Sequence, residues 1–275
     1  MSGITVACQG TFGANSQTAC KAAFGDEAGI MFMRSFDAVF TSVENGLCDF
    51  GILPIENSTN GSVSAVYDLL RRHDVSIVKA VRIPIRHCLA GIEGADMSDV
   101  KRVLSHEQAL GQCACYLKKN KLEQEGYPNT ATAARYVSEQ GDKEIAAICS
   151  EDCAKEYGLK IFKRDIQDSD KNYTRFICIK SCDESEELSG GKISIVCSLV
   201  NKCGSLCSLL QLLAENGADL TKVESRPIPD TDFEFMFYID FVGDFDNMSK
   251  NGLFEKLRGS LAYYRLLGCY DEYSV

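Results

Sequence analysis

The sequence contains little histidine and no cluster with the spacing of a metal site. None of its three histidines sits in a Cys/His cluster, although the chain has fourteen cysteines. Neither Cys113-Ala114-Cys115 nor the pair Cys203 and Cys207 has the spacing of zinc ligands. The cysteines are scattered through apolar segments such as Phe176-Ile177-Cys178-Ile179. We therefore expect buried free thiols, a reducing cytoplasmic location and no bound metal.

Long hydrophobic runs and an excess of positive charge are also missing. No apolar stretch approaches the roughly 20 residues that a membrane-spanning helix needs. Ile4 to Cys8 is typical of a first strand rather than of a signal peptide. With 29 basic and 39 acidic residues, the formal net charge is -10 and the pI is about 4.9. We therefore expect no membrane and no nucleic-acid partner, and an anionic substrate would need locally placed donors.

A dinucleotide fingerprint and a recognisable catalytic nucleophile are absent as well. Gly10-Thr11-Phe12-Gly13 is not a G-x-G-x-x-G motif, and Phe12 would crowd a pyrophosphate. No Ser/His/Asp, Cys/His or paired-carboxylate arrangement follows from the spacing of the residues. The sequence therefore gives no indication of a nucleotide site or of a nucleophilic catalytic triad.

The composition that is present is that of an ordinary globular protein with enough apolar material for packed cores. The chain has 275 residues, of which 45% are hydrophobic and 25% charged, and this length favours two domains. Residues 181–191 form an acidic, polar segment that ends in two glycines, as is typical of an interdomain linker. We place a front domain at residues 1–182 and a back domain at residues 190–275.

The front domain alternates short apolar strands with amphipathic helices. After the buried segment Phe50 to Ile55, Ser62 is a candidate N-cap for a helix with Val63, Val66 and Leu70 on one face. Similar alternation continues towards the linker. This pattern predicts parallel α/β layers, in which ligands bind at the carboxyl ends of strands and the N-termini of helices.

The back domain has the pattern β-α-β-β-α-β. Its clearest strand is Phe233 to Phe241, whose odd-numbered positions are all Phe or Ile. Leu206, Leu209 and Leu213 mark one helix, and the segment Leu253 to Leu257 marks a second. This order predicts a ferredoxin-like α/β sandwich.

Three polar segments follow predicted strands or open predicted elements. Glu56 to Ser62 concentrates amides and hydroxyls, which favours ligand binding, although a turn followed by an N-cap explains part of it. Ser105 to Gln108 opens a helix, where Ser105 is either a plain cap or a ligand-binding residue. Thr174-Arg175-Phe176 begins a strand, and Arg175 is either an anion donor or part of a surface salt bridge.

The same segments resemble those of a known family. The front domain resembles the catalytic domain of prephenate dehydratases through Gly10-Thr11-Phe12, Ala38-Val39-Phe40, Val43-Glu44-Asn45-Gly46, Pro54-Ile55-Glu56-Asn57-Ser58, Ser105-His106-Glu107-Gln108-Ala109-Leu110, Ala131-Thr132-Ala133-Ala134 and Thr174-Arg175-Phe176. The back domain resembles an ACT regulatory domain through Asn201-Lys202-Cys203-Gly204-Ser205-Leu206 and Glu224-Ser225-Arg226-Pro227. The resemblance implies a two-lobed, periplasmic-binding-protein-like catalytic domain with chain crossings near Ala80 to Arg82 and near Phe162 to Arg164.

The implied reaction converts prephenate to phenylpyruvate, carbon dioxide and water in the synthesis of phenylalanine. The resemblance places Thr174 beside the departing hydroxyl and gives Asn57, Ser105 and Gln112 the task of positioning the substrate. It assigns further substrate contacts to Thr11, Ser58, Thr59, Gly61, Arg175 and Phe176. Glu56 is expected to be structural. No cofactor is implied, because formation of the aromatic ring drives the reaction once the hydroxide is protonated.

The resemblance also implies regulation and assembly. L-Phenylalanine is expected to bind the back domain at Asn201, Gly204, Ser205, Leu206, Glu224, Ser225, Arg226 and Pro227, in a pocket that a second subunit completes. The expected assembly is a homodimer or a dimer of dimers, and the front domain alone is expected to keep some activity. Two alternatives stay open: an arogenate dehydratase, whose substrate carries an amine in place of the keto group, and a non-catalytic amino-acid-sensing binding protein.

Overall fold

The computed structural model describes residues 3–182, 188–200, 202–228 and 234–275. Asn201 and Phe233, both singled out above, lie outside the described residues. The described part of the chain contains three β-sheets with helices packed against them. No helix within it is both long and apolar enough to cross a membrane.

The first lobe is formed by the beginning of the chain. Its elements up to the first crossing are β1 (Thr5–Gln9), α1 (Asn15–Phe24), β2 (Gly29–Met33), α2 (Phe36–Glu44), β3 (Phe50–Asn57), β4 (Gly61–Ser62), α3 (Ser64–Arg72) and β5 (Val75–Pro84). Ser35 caps α2, because its Oγ accepts a hydrogen bond from the Ala38 N–H at 3.2 Å. The cap predicted at Ser62 is wrong, since α3 begins after Val63 and the Ser62 hydroxyl donates to Glu224 instead.

The second lobe is one continuous stretch of chain. Its elements are β6 (Cys88–Gly91), β7 (Arg102–Ser105), α4 (Glu107–Gln112), α5 (Ala114–Lys119), β8 (Glu123–Gly126), α6 (Thr130–Gln140), β9 (Ile145–Cys149), α7 (Glu151–Glu156) and β10 (Lys160–Lys163). The strands form a sheet in the order β10-β6-β9-β7-β8. β7 is parallel to both of its neighbours, as expected for an α/β layer.

The chain returns to the first lobe with β11 (Tyr173–Ser181), which is antiparallel to both β3 and β5. The first crossing differs from the predicted position, and the second begins at Arg164, the last residue of the predicted range. Ala80 to Arg82 lie inside β5, and the chain crosses at residues 85–87; the return occupies residues 164–172. The first crossing was misplaced because burial of apolar side chains continues as far as Ile85, so the sequence does not mark the end of the strand.

The back domain contains the elements β12 (Lys192–Ser198), α8 (Ser205–Glu215), β13 (Asp219–Pro227), β14 (Phe235–Val242), α9 (Phe245–Lys250), α10 (Leu253–Ser260) and β15 (Tyr263–Tyr270). The strands form an antiparallel sheet in the order β13-β14-β12-β15. This is the predicted β-α-β-β-α-β order, with the second helix divided into α9 and α10. Apolar residues from the strands and helices, such as Ile193, Leu209, Phe241 and Leu257, form its core.

A last strand, β16 (Glu272–Ser274), belongs to the first lobe rather than to the back domain. It pairs in parallel with β5, with Glu272 opposite Ala80. The first sheet therefore has the order β16-β5-β11-β3-β1-β2, with β4 paired to β3. The domain assigned to residues 190–275 is corrected accordingly, because its final residues complete the sheet of the front domain.

The two domains share one hydrophobic core. Tyr238 and Leu267 of the back domain pack in the same cluster as Leu53 and Ile77 of the front domain. Gly268 lies against the Ile77 carbonyl group so closely that a Cβ would have no room. The face of the first sheet that carries Leu53 and Ile77 is thus covered by the back domain.

The fourteen cysteines are all free thiols. Ten of them are buried, whereas Cys115, Cys182, Cys203 and Cys207 are exposed. Burial raises the pKa of a buried thiol such as Cys178 to about 12, so that it stays protonated at neutral pH. The expectation of buried thiols therefore holds for most of the cysteines.

Candidate active site

A polar pair lies at the edge of the first sheet, where β3 ends and β11 begins. Thr174 and Asn57 are register partners in these antiparallel strands. Asn57 Nδ2 donates a hydrogen bond to Thr174 Oγ1 over 3.0 Å, and Thr174 is only 9% exposed. Since β1 runs parallel to β3, the loop at residues 10–13 reaches the same edge of the sheet.

The amide group of Asn57 is held in one orientation. Its Oδ1 accepts the backbone N–H groups of Thr59 at 3.0 Å and Asn60 at 2.9 Å, which is an Asx turn. Nδ2 is therefore the atom that faces Thr174, and Thr174 Oγ1 is the acceptor. Within the described residues Thr174 Oγ1 makes no other hydrogen bond, so its hydroxyl hydrogen is available to a ligand.

A chain of hydrogen bonds extends from this pair into the second lobe. Asn57 Nδ2 also lies 2.8 Å from Asn172 Oδ1, and Asn172 Nδ2 donates to Gln112 Oε1 over 3.1 Å. Gln112 Oε1 lies 2.9 Å from His87 Nε2, which makes Nε2–H the donor of that bond. Because its oxygen accepts two bonds, Gln112 keeps its Nε2 hydrogens for a ligand.

His87 and Asn172 lie in the two chain crossings, and the sequence analysis identified neither. Both are buried. Burial lowers the pKa of His87 below its usual 6.5, although the hydrogen bond with Gln112 acts in the opposite direction. The imidazole is therefore neutral near pH 7. Asn172 could have been suspected because it directly precedes Tyr173 and Thr174, whereas a lone histidine after a strand gives no such signal.

The second lobe contributes Ser105 and the beginning of α4. Ser105 is fully buried, and its Oγ donates to the Ile148 carbonyl oxygen over 2.7 Å. This bond ties β7 to β9 and so fixes the position from which α4 starts. The N-cap of α4 is His106, whose Nδ1 accepts from the Gln108 N–H at 3.2 Å, so the alternative of Ser105 as a plain cap is wrong.

The other residues of the first lobe that were expected to contact the substrate differ in the hydrogen bonds that they make within the protein. Ser58 Oγ accepts the Tyr173 N–H at 2.9 Å and therefore joins the loop to β11. Thr59 is exposed in the same loop, and Gly61 has a φ of 77°, which suits glycine at the turn into β4. Thr11 lies in the loop after β1, at the same edge of the sheet.

The two lobes touch through the loop at residues 10–13. The Gly13 carbonyl accepts from Ser150 Oγ at 3.4 Å, and the Phe12 carbonyl accepts from the Tyr157 hydroxyl at 3.0 Å. Gly13 has a φ of 79°, and a Cβ there would lie 2.8 Å from Cys153 Cα. Glycine is therefore required both for the conformation of this loop and for the close approach of the lobes.

Arg175 and Phe176 do not reach the cleft, so their expected substrate contacts are corrected. Strand alternation places Arg175 on the face opposite to Thr174, where its Nη2 binds Asp240 Oδ2 at 2.7 Å. Its side chain is only 8% exposed, which also excludes a surface salt bridge. Phe176 is buried in the apolar cluster that includes Ala19 of α1.

The groups that remain free at the site are neutral hydrogen-bond donors, the Thr174 hydroxyl and the Gln112 amide. Such donors suit a small molecule that carries carboxylate and hydroxyl oxygens. In the part of the chain that the structure describes, no group of three or more His, Cys, Asp or Glu side chains is arranged to hold a metal ion.

Sequence similarity identifies the family. Residues 6–184 match the family model of prephenate dehydratase, which is more than half of the chain. The chain belongs to the prephenate dehydratase family. The arogenate dehydratase/prephenate dehydratase 2, chloroplastic, of Arabidopsis thaliana is 38% identical over 282 residues, which is 97% of this chain and 72% of that relative.

Solved structures share the fold of this dehydratase-family chain along nearly its whole length. The prephenate dehydratase of Arthrobacter aurescens, in complex with L-Phe, has a TM-score of 0.88 and 26% identity, covering 98% of this chain and 90% of that one. A structure described as GqqA, a novel type of quorum quenching acylase, has a TM-score of 0.89 and 27% identity, covering 97% of both chains. The mixed α/β fold predicted from the sequence is therefore confirmed.

The expected effector residues of this dehydratase-family chain fall into two places. Gly204, Ser205 and Leu206 line a cavity of about 670 Å³ in the back domain. Apolar and charged side chains from other elements also line it: Leu199, Lys202, Glu234, Phe235 and Phe237. The cavity therefore has both an apolar wall and groups of either charge.

The Glu224-Ser225-Arg226-Pro227 motif does not line this cavity within one chain. Ser62 Oγ donates to Glu224 Oε2 over 2.7 Å, and Arg226 forms an ion pair with Asp68 of α3 at 3.2 Å. Both residues thus face the front domain. Ser225 and Pro227 alternate with them along β13 and are exposed.

Proposed function

We propose that this chain converts prephenate to phenylpyruvate, carbon dioxide and water. The observation that supports this most directly is the contact of Asn57 with Thr174, which leaves the Thr174 hydroxyl hydrogen free at the cleft. In the reaction the ring C–O bond breaks, and the departing hydroxide takes up a proton to become water. The bond from the ring to its carboxylate breaks as well, and that electron pair completes the aromatic ring as carbon dioxide leaves.

In this proposal each free group has a role. Thr174 donates a hydrogen bond to the departing hydroxyl, and it acts as a donor or relay because a threonine hydroxyl is a weak acid. Assistance to proton transfer of this kind contributes about 100- to 10,000-fold. Gln112 Nε2 donates to substrate oxygens, and Asn57 orients Thr174. The approach of the lobes at Gly13 and Ser150 keeps water from the reacting ring.

Arogenate is a second candidate substrate, since the relative from Arabidopsis thaliana is named for both activities. Arogenate has an amine where prephenate has a keto group, and its reacting ring is the same. The arrangement of Asn57 and Thr174 serves either substrate. The ratio of kcat/KM for the two compounds distinguishes the two functions.

The experiment that tests the proposal is incubation of the purified protein with prephenate or arogenate, without added cofactor and with excess chelator. Phenylpyruvate or phenylalanine is the expected product, followed by ultraviolet absorbance or by chromatography. A folded protein that turns over neither compound contradicts the proposal, and binding without turnover supports the non-catalytic sensor. Loss of turnover on chelation, with recovery on adding a metal, contradicts the cofactor-free mechanism.

We also infer that the back domain is an ACT-type regulatory domain that binds L-phenylalanine in its cavity. The related protein of Arthrobacter aurescens is described in complex with L-Phe. Leu199 and Phe235 offer apolar contacts for the aromatic ring, and the helix α8, which begins at Ser205, offers N–H groups to a carboxylate. A homodimer or a dimer of dimers would bring the exposed Ser225 of a second copy to this cavity. The cytoplasmic location stays a prediction, because the Arabidopsis thaliana relative is named as chloroplastic.

A further inference from the structure

Two oppositely charged residue pairs face each other where the front domain meets the back domain. Arg175 of β11 and Glu56 of β3 are register partners in the first sheet. Lys222 of β13 and Asp240 of β14 are register partners in the sheet of the back domain. We call these four residues the interdomain clasp.

The clasp is held together by ion pairs that run between the domains. Arg175 Nη2 lies 2.7 Å from Asp240 Oδ2, and Lys222 Nζ lies 2.6 Å from Glu56 Oε1. Ser194 Oγ donates to the other carboxylate oxygen of Asp240 over 2.6 Å, which fixes that carboxylate in place. The side chains of Arg175 and Asp240 are only 8% and 10% exposed. Because these charges are out of water, removing the Asp240 carboxylate is costly: it leaves the buried Arg175 with only its longer contacts to Glu56 at 3.5 Å and Glu272 at 3.7 Å.

Arg175 keeps its positive charge in this environment. Burial alone would lower the pKa of the guanidinium, but Asp240 together with the neighbouring Tyr270 and Tyr67 raises it above its ordinary value. Arg175 therefore remains cationic at every pH at which the protein is folded.

The clasp lies directly behind the proposed catalytic pair. Arg175 follows Thr174, and Glu56 precedes Asn57, so each clasp residue of the front domain is bonded to a residue of the site. Successive side chains of a strand point to opposite faces, and successive residues are separated by only about 3.3 Å. A displacement of Arg175 or Glu56 is therefore passed through the backbone to the contact between Asn57 and Thr174.

We propose that Arg175 is a positioning residue of the active site and that Asp240 of the back domain holds it in place. The back domain thereby sets the position of Thr174 even when no effector is bound. Any rearrangement of the back domain on ligand binding would move Lys222 and Asp240 together, and with them both strands of the site. The turnover readout below rests on the dehydratase function proposed above.

The test compares Asp240→Asn with a control at the other end of the same interface. Asp240→Asn keeps the shape of the side chain and removes the charge that holds Arg175. The control is Arg265→Gln: Arg265 Nη2 donates to the Val75 carbonyl over 2.8 Å, and Val75 pairs with Ser181 at the far end of β11. Both variants thus remove a contact between the same two domains, but only one of them lies behind Thr174.

Steady-state kinetics without effector and thermal unfolding are measured for both variants. Asp240→Asn is expected to lower kcat roughly tenfold or more, because small displacements of a catalytic group have effects of this order. KM should stay within about twofold, since the free substrate-binding amide lies on another element. Arg265→Gln should lower the melting temperature while kcat stays within about twofold. An Asp240→Asn protein with the kcat of the parent, or an equal loss of kcat in the control, overturns the proposal.

Two further measurements keep the test decisive. Hydrogen exchange by mass spectrometry should show faster exchange at the Thr174 end of β11 in Asp240→Asn, and at the Ser181 end in Arg265→Gln. Hydrogen exchange tests whether the interdomain clasp holds β11 in place even if the parent protein turns over neither substrate. It therefore separates this inference from the proposed function. If Asp240→Asn does not fold, Ser194→Ala removes the hydrogen bonds of Ser194 Oγ with Asp240 and with the Tyr270 hydroxyl, and it removes no charge. It should still lower kcat by about threefold, and an unchanged kcat in that variant overturns the proposal.

Discussion

Asn57 Nδ2 lies 3.0 Å from Thr174 Oγ1, and the two residues are register partners at the point where β3 ends and β11 begins. The orientation of the amide is set by Thr59 and Asn60, whose N–H groups bind its oxygen. The direction of this hydrogen bond follows, and with it the direction in which the Thr174 hydroxyl can donate. The direction of this contact is thus set by backbone pairing and by one turn.

Thr174→Ala should lower kcat by about 100- to 10,000-fold, the range expected for loss of assistance to a departing group. KM should change little, because the other amides and hydroxyls of the site remain. Thr174→Ser keeps the hydroxyl and should retain part of the activity. Phenylpyruvate formation from prephenate measures both variants, with circular dichroism to check the fold. Parent-like turnover by the alanine variant would mean that Thr174 is only a strand residue.

Gly13→Ala should impair catalysis by preventing the close contact of the lobes. A Cβ at this position would lie 2.8 Å from Cys153 Cα. We expect kcat/KM to fall roughly tenfold or more, because the site closes less completely. The measurement is steady-state turnover of prephenate at low substrate concentration.

Gly25→Ala is the matched control for this change. Gly25 has a φ of 87° against 79° for Gly13, but a Cβ there would meet nothing within 4 Å. Both variants should lose about 1–3 kcal/mol of stability from the positive φ, which at Gly25 is combined with a ψ of 169°. Only Gly13→Ala should lose activity, and a similar loss in both variants would show that backbone strain, and not contact between the lobes, is responsible.

His87 should make the stability of the protein depend on pH below neutrality. Burial lowers the pKa of His87 in the folded protein below 6.5, its ordinary value in an unfolded chain. As the pH falls from 6.5 towards the lower folded pKa, the unfolded state binds a proton that the folded state does not, so the folded state is destabilised. His87→Gln can still donate to Gln112 but does not titrate. Urea unfolding at pH 7.5 and pH 5 should show a smaller acid-induced loss of free energy in the variant, and an equal loss would contradict this account of His87.

Part of the site was accessible from the sequence because polar residues follow apolar strand segments. The loop from Glu56 to Ser62 and the Thr174-Arg175-Phe176 segment both lie at the expected edge of the sheet. Strand alternation alone would have separated Thr174 from Arg175. Strand alternation does not identify Asp240 as the partner of Arg175. Asp240 lies 65 residues away in sequence, and without it a buried arginine cannot be explained.

Other features carry no local pattern that a sequence analysis can use. His87 is an isolated histidine in a crossing, and its partner Gln112 is known only once both lobes are assembled. β16 is only three residues long, and Glu272 and Ser274 are polar, so the segment shows no apolar periodicity. Its pairing with β5 becomes visible only when the back domain is packed against the first sheet.

Phe235→Ala should weaken inhibition by L-phenylalanine. Phe235 is 40% exposed and lines the cavity of the back domain together with Leu206. Loss of one aromatic contact should raise the inhibition constant roughly tenfold, while turnover without phenylalanine should not change. Inhibition curves at several phenylalanine concentrations measure this shift.

Val242→Ala serves as the control for the effector site. Val242 lies at the opposite end of β14 and is similarly exposed, at 44%, but it does not line the cavity. The inhibition constant of L-phenylalanine for the Val242→Ala variant should equal that for the parent protein. An unchanged response in Phe235→Ala would show that phenylalanine acts elsewhere, for example in the cleft between the lobes.

A front domain that ends at residue 182 should neither fold cooperatively nor turn over prephenate. The resemblance to the family implied the opposite, namely that the front domain alone keeps some activity. The structure shows that this cut removes β16 from the first sheet, and it takes Tyr238 and Leu267 out of the shared core. It also leaves Arg175 without Asp240, and loss of one partner of a buried ion pair costs about 3–5 kcal/mol.

Co-expression with residues 188–275 provides the decisive comparison for this truncation. The second fragment restores β16 beside β5 and returns Asp240 to Arg175, so the pair of fragments should regain a cooperative unfolding transition and measurable turnover. When the second fragment carries Asp240→Asn, the pair of fragments should regain the cooperative unfolding transition more fully than the turnover, because β16 and the shared core do not depend on this charge. If residues 1–182 alone matched the kcat of the full chain, neither β16 nor the ion pair of Arg175 with Asp240 would be needed for catalysis. The back domain would then act only when an effector is bound.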